Sequence, residues 1–168
     1  MTDFTNRISQ TLHQEHHATI ALMERLEQLL ARHRRGVTPD INDHAVAQLL
    51  TDLSVALAAE VERHFAFEEK QLFPYLEATG DAAIGSHLTD EHGAIRPLGV
   101  RLASLARDAS AHGFDAGRWQ EFTRVGQELY ERMLMHVQKE EMALLPLLDE
   151  VMDADTEARL YEDYVEHV

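Results

Sequence analysis

The sequence predicts an all-α fold, an up-down-up-down four-helix bundle with a short C-terminal helix. Three observations carry that prediction. Apolar residues recur at helical spacing through four long segments, without the Val/Ile/Thr alternation of strands. The breaks between them are few and short, at 35–40, 78–81, 111–117 and 153–155. The chain also repeats itself: segments 64–74 and 136–146 both read His, three residues, Glu-Glu, two residues, an apolar pair and Pro. Long helices with short connections pack as antiparallel neighbours in one bundle. Residues 1–168 read as a single domain, with a core over about 4–149 and an acidic helical tail at 150–168.

In the first segment, 4–34, Ile8, Leu12, Met23, Leu26 and Leu30 form one stripe. At about 100° per residue, His16 falls about 40° from Leu12, whereas His13 and His17 fall about 100° and 140° away. His16 therefore faces inward, and Glu15, on the other margin of the stripe, is placed for a supporting hydrogen bond. The second segment, 42–78, puts Val46, Leu50, Leu53, Leu57, Val61, His64, Glu68 and Tyr75 in one arc and turns Glu69 to solvent. Pro74 should kink or end this helix, because it lacks a backbone donor and crowds the preceding turn.

The third segment, 86–110, matches the first at a shift of 76, with Glu91-His92 standing for Glu15-His16. His92 shares a face with Leu88, Ile95 and Gly99, His87 points away, and Pro97 is expected to bend the helix. The fourth, 116–149, matches the second at a shift of 72. It aligns Phe122, Val125, Leu129, Met133, His136, Glu140, Ala143 and Leu147, with Glu141 outward. The tail carries Leu160, Tyr161, Tyr164 and Val165 at amphipathic spacing. It reads as a packing appendage, or as a contact with a second copy or a protein partner.

Composition narrows the chemistry. A formal net charge of −15 opposes nucleic acid and anionic membrane surfaces as partners. No long uncharged apolar run or signal-peptide pattern is present, so the expected location is cytoplasmic. Without cysteine there is no disulfide, thiolate zinc site or cysteine nucleophile, so a metal would be held by nitrogen and oxygen.

On a helix, a histidine and a glutamate four residues later lie one turn apart on one face. The antiparallel arrangement brings His16, His64, His92 and His136 to about one level, with Glu68 and Glu140 beside them. Imidazole with carboxylate suits iron, manganese or zinc. If both carboxylates bridge two ions, the six side chains fill eight of about twelve octahedral positions. A solvent-derived oxo or hydroxo bridge fills two more, leaving room for a small exogenous molecule such as dioxygen, peroxide or nitric oxide. Four level histidines with two inward carboxylates are hard to read as plain core, since burying the charges alone costs several kcal/mol each.

These paired motifs, each preceded by a Glu-His helix, resemble the hemerythrin-like, or HHE cation-binding, family over roughly residues 8–150. The resemblance implies a four-helix bundle around a non-haem di-iron centre that reacts with or senses oxygen, peroxide or nitric oxide. The alternative is an iron-binding regulatory or stress-response module without catalysis of its own. Oxygen-carrying members have a second histidine one turn after the third-helix ligand, where this chain has Arg96. They also take their last carboxylate five residues after the fourth-helix histidine, where this chain has Glu141, with Glu140 at four. His13, His17, His33, His44, His87, His112 and His167 are expected on the surface or in loops. Phe65, Phe67 and Phe73 are expected in the core, and Glu60 and Arg132 as an ion pair near the site.

Overall fold

A computed structural model describes residues 3–166. The fold is all-α, with α1 at Arg7–Arg32, α2 at His44–Ala78, α3 at Ala83–His112, α4 over 116–151 and α5 at Ala154–Glu166. His167 lies outside the described residues. Side-chain caps fix the starts: Asn6 accepts from the Ile8 and Ser9 amides at α1, Asp43 from Ala45 and Val46 at α2, and Asp115 from Arg118 at α4. Each such cap stabilises its helix by about 1 kcal/mol. Gly113, at φ 76°, ends α3 in the left-handed region that glycine adopts without a Cβ penalty.

Contacts between helices run in opposite sequence directions all round the bundle. Arg25 meets Asp52 while Arg63 meets Glu15; Arg96 meets Glu62 while His92 meets Glu69. Arg101 meets Glu121 while Lys139 meets Glu91. Trp119 donates to the His33 carbonyl, and Ser9 donates to the Leu145 carbonyl. The cyclic order is therefore α1, α2, α3, α4, each antiparallel to the next. Where α2 and α3 converge, a Cβ on Gly85 would sit 2.8 Å from Phe73 Cβ, so a glycine is needed for that approach.

Two apolar blocks fill the interior. One, around Leu26, Leu50, Leu102 and Phe122, lies toward the α1–α2 and α3–α4 loops. The other, around Ile8, Leu12, Leu76, Leu144 and Tyr164, lies at the opposite end and is covered by α5. The four histidines form the layer between them. By length and composition α2 is also apolar enough to cross a membrane, although here its stripe packs within the bundle.

Helices α2 and α4 depart from regular winding at the repeated motif. Each contains a π turn, Glu68–Leu72 and Glu140–Leu144, in which the amide of Phe73 or Leu145 reaches the carbonyl five residues back. Pro74 therefore does not end α2, which continues to Ala78, because the wider turn just before it accommodates the ring. The extra residue also moves the inward face on by one position. Leu76 is fully buried where regular winding favours Tyr75, and Leu144 and Leu148 replace Ala143 and Leu147.

Candidate metal centre

His16, His64, His92, His136, Glu68 and Glu140 all lie buried at the junction of the two blocks, one histidine from each of α1–α4, with Glu68 on the helix of His64 and Glu140 on that of His136, as the sequence predicts. Glu140 is the hub. Its Oε2 is 2.7 Å from His16 Nε2 and 3.5 Å from His64 Nε2, while its Oε1 is 2.6 Å from His136 Nε2 and 3.7 Å from His92 Nε2. Two groups that can hold a metal ion result, His16/His64/Glu140 and His92/His136/Glu140, sharing one carboxylate. Glu68 is fully buried beside the first, with Oε1 2.5 Å from His64 Nε2.

Three of these inner oxygens, both of Glu68 and Oε1 of Glu140, have no aligned hydrogen-bond partner among the described residues. Buried carboxylate oxygens without donors are costly, and here they crowd against imidazole nitrogens. Such a convergence of hard oxygen and borderline nitrogen donors fits a bound cation of the iron, manganese or zinc type.

The outer nitrogens show why the Nε2 atoms converge. His64 Nδ1 is 2.9 Å from Glu15, His92 Nδ1 2.6 Å from Glu69, His136 Nδ1 2.9 Å from Glu91 and His16 Nδ1 2.7 Å from Glu141. A carboxylate accepts an Nδ1–H, so in the neutral ring each pair leaves Nε2 as the inward lone pair. The pairs form a closed ring, in which every helix lends a carboxylate to the histidine of the next. Each carboxylate is also clamped by a partner on that histidine's helix: Arg63 on Glu15, Arg96 on Glu69, Lys139 on Glu91 and His13 on Glu141.

Glu69 and Glu141 are therefore not the solvent-facing residues that regular winding implies. The π turn lowers the rotation per residue, bringing the fifth position after the histidine back toward the neighbouring helix. His13 is half-buried against Glu141 rather than free on the surface. Arg96 spans Glu69 and Glu62 and lies over the Phe65 ring, so it braces the outer layer. Glu60 is exposed, and Arg132 pairs with Glu128 on its own helix instead. His17, His44, His87 and His112 are exposed as expected; His33 is half-buried, bonded to the Val37 carbonyl and edge-on to Trp119. Phe65, Phe67 and Phe73 are buried, and Phe65 stacks on His92 with centroids 3.7 Å apart.

Electrostatics follow the same geometry. Burial alone would lower the His16 pKa, but Glu140 and Glu141 outweigh it and raise it to about 9. Burial and the Glu140 charge raise Glu68 to about 7. Burial also opposes ionisation of Glu140, yet the surrounding imidazoles hold it well below the usual carboxylate range. In the metal-free chain, the raised pKa values of His16, His64 and His136 thus favour protonated rings that offset the Glu140 charge.

The fold and site define a metal-binding four-helix bundle. The family model described as the hemerythrin HHE cation binding domain matches residues 7–148, and again 84–168 from the helix where the internal repeat restarts. The chain belongs to that family. No curated protein matches it. The outer ring of Glu15, Glu69, Glu91 and Glu141 was only partly visible from sequence; the signal for the rest was the second Glu of each motif, kept in both copies.

Proposed function

We propose that the chain is a di-iron protein whose centre reacts with or senses dioxygen, peroxide or nitric oxide. His16 and His64 would hold one ion and His92 and His136 the other, with Glu140 between them and Glu68 as the second bridge. The observation that carries the reading is the sharing of Glu140 by two His-His-Glu groups, which calls for two ions close together. Bound iron supplies the redox couple; the chain's own residues orient the imidazoles and exclude bulk water. Phe65 closes one side against His92.

A cavity of about 190 Å³ supports an exogenous ligand. It lies between α1, α2 and α4 and reaches His16, His64 and His136 along Leu22, Leu57 and Met133. That is several times the share of one water, so a small molecule has room to arrive. Protein from iron-replete cells should contain close to two iron per chain. Rapid mixing of the reduced protein with each ligand should then change its visible spectrum. Stoichiometric zinc in place of iron would overturn the di-iron reading. Full iron with no response to any of the three would leave the non-catalytic regulatory module as the function.

A further inference from the structure

Tyr164, on α5, is buried, and its hydroxyl donates to Glu15 with Oη 2.6 Å from Oε2. Glu15 in turn accepts from His64 Nδ1 at 2.9 Å. The tyrosine ring is held by Phe67, 4.2 Å between centroids, and by Arg63, whose guanidinium carbon is 4.9 Å from the ring centroid. Farther along the helix, Arg7 bonds Glu157 at 2.6 Å and lies over the Tyr161 ring, while Leu160 is buried in the core. Helix α5 is thus pinned along its length, and its last buried residue touches the outer ring.

The internal repeat shows that this contact is specific to one side. Glu91 is the counterpart of Glu15 one repeat later and orients His136 in the same way. Its other partners are Lys139 and, at 3.6 Å, His87, and the repeat counterpart of Arg63 is Met135, exposed to solvent. Among the described residues, only the His16/His64 group therefore has a hydroxyl donor behind an outer carboxylate. A carboxylate between Nδ1–H, a guanidinium and a phenol has few free lone pairs and little freedom to rotate.

We infer that Tyr164 is a positioning residue for the metal centre, acting through Glu15 to fix the ring of His64, so that α5 is part of the site. The inference rests on the two-ion reading above. Burial and the neighbouring Glu15 carboxylate raise the Tyr164 pKa, so the phenol remains a donor.

The test is an anaerobic titration of the full chain with ferrous iron against a competing chelator, repeated with cobalt(II) for its visible spectrum. Tyr164→Phe keeps the ring packing and should leave the metal-free melting temperature within a few degrees. One of the two equivalents should bind about tenfold more weakly, the lower end for loss of an outer partner. The cobalt bands of that equivalent should shift, while the other stays as in the unmodified chain. Glu15→Gln should weaken the same equivalent, and the double variant should be no weaker than Glu15→Gln alone, because both act through one path. Tyr161→Phe, which removes a hydroxyl from the same helix away from Glu15, should change nothing. Two equivalents bound by Tyr164→Phe with unmodified affinity and spectrum, or additive losses in the double variant, would overturn the inference. An unmodified chain that binds fewer than two equivalents would instead refute the two-ion reading, and the inference with it.

Discussion

Glu140 and Glu68 are repeat counterparts with expected responses of very different size to the same change. Glu140→Gln keeps the shape but removes the charge that faces four imidazoles, two of them within 2.7 Å. Removing one partner of a buried ion pair costs about 3–5 kcal/mol, because the other charge is left buried and uncompensated. For a chain of this size, about 2–4 °C of melting temperature accompany each kcal/mol, so the metal-free variant should melt about 6–20 °C lower. Glu68, raised to about 7, is near half-protonated at neutral pH, and glutamine resembles its neutral form. Glu68→Gln should therefore cost the metal-free protein about 1 kcal/mol or less. Circular dichroism melts of chelator-treated protein at pH 7 separate the two. Iron content supplies a second reading: Glu140→Gln should impair both ions, since both groups share it. Equal melting temperatures for the two variants would refute the assigned charge states, and two tightly bound irons in Glu140→Gln would refute its place as the hub.

Two further outcomes follow from the site. Glu68 and His16 both bind protons more tightly in the folded chain. The Glu68 contribution is complete below its unfolded value of 4.5 and is lost as pH rises through about 7. That of His16 is complete below 6.5 and is lost through about 9. Chelated protein should therefore melt progressively lower between about pH 5 and 9, by up to about 3 kcal/mol for His16 alone, whereas iron affinity should rise as Nε2 sheds its proton. A melting temperature that climbs across that interval would contradict the assignment. The second outcome concerns the histidines: His16→Ala or His92→Ala should lose at least one iron per chain, and His17→Ala or His87→Ala should lose none, as measured by metal analysis after gel filtration.

How much was legible in the sequence depended on local winding. Helices α1 and α3 are regular around their histidines, so arithmetic on Leu12 and Leu88 correctly turned His16 and His92 inward and placed Glu15 for its bond to His64. Helix α4 is regular up to Glu140, and α2 up to Glu68 apart from a π turn at Ala56–Glu60, and His64, His136 and both glutamates were turned inward correctly. Beyond them the π turns added a residue: Ala143 is exposed, Tyr75 and Leu147 lie only partly buried at the margin of the core, and Glu69 and Glu141, expected at the surface, turn to the neighbouring histidines. A π turn is set by tertiary packing around the buried carboxylate, and intrinsic helix propensity carries no mark of it. Pro74 and Pro146, one residue beyond each i+5 bond, were the nearest signal. The tail's contact with the site was invisible for a different reason: amphipathic spacing shows that Tyr164 is buried, but not which carboxylate its hydroxyl meets.

The ring of outer carboxylates explains what the duplication achieves. A single helix pair can lend Glu15 to His64, but its own Glu69 and His16 then face outward, with no partner helix on those sides. Two pairs in antiparallel cyclic order close both gaps at once, because Glu69 reaches His92 and Glu141 reaches His16 across the junctions between repeats. Each imidazole is then fixed from behind, and Nε2 has nowhere to point but inward. The cost is a crowded interior. Two buried carboxylates and four imidazoles crowd together, and in the metal-free protein burial and the Glu140 charge raise the Glu68 pKa to about 7. Cations between the Nε2 atoms and the carboxylates would let both glutamates ionise and release the imidazolium protons. Metal binding, proton release and stability are therefore one coupled equilibrium in this bundle.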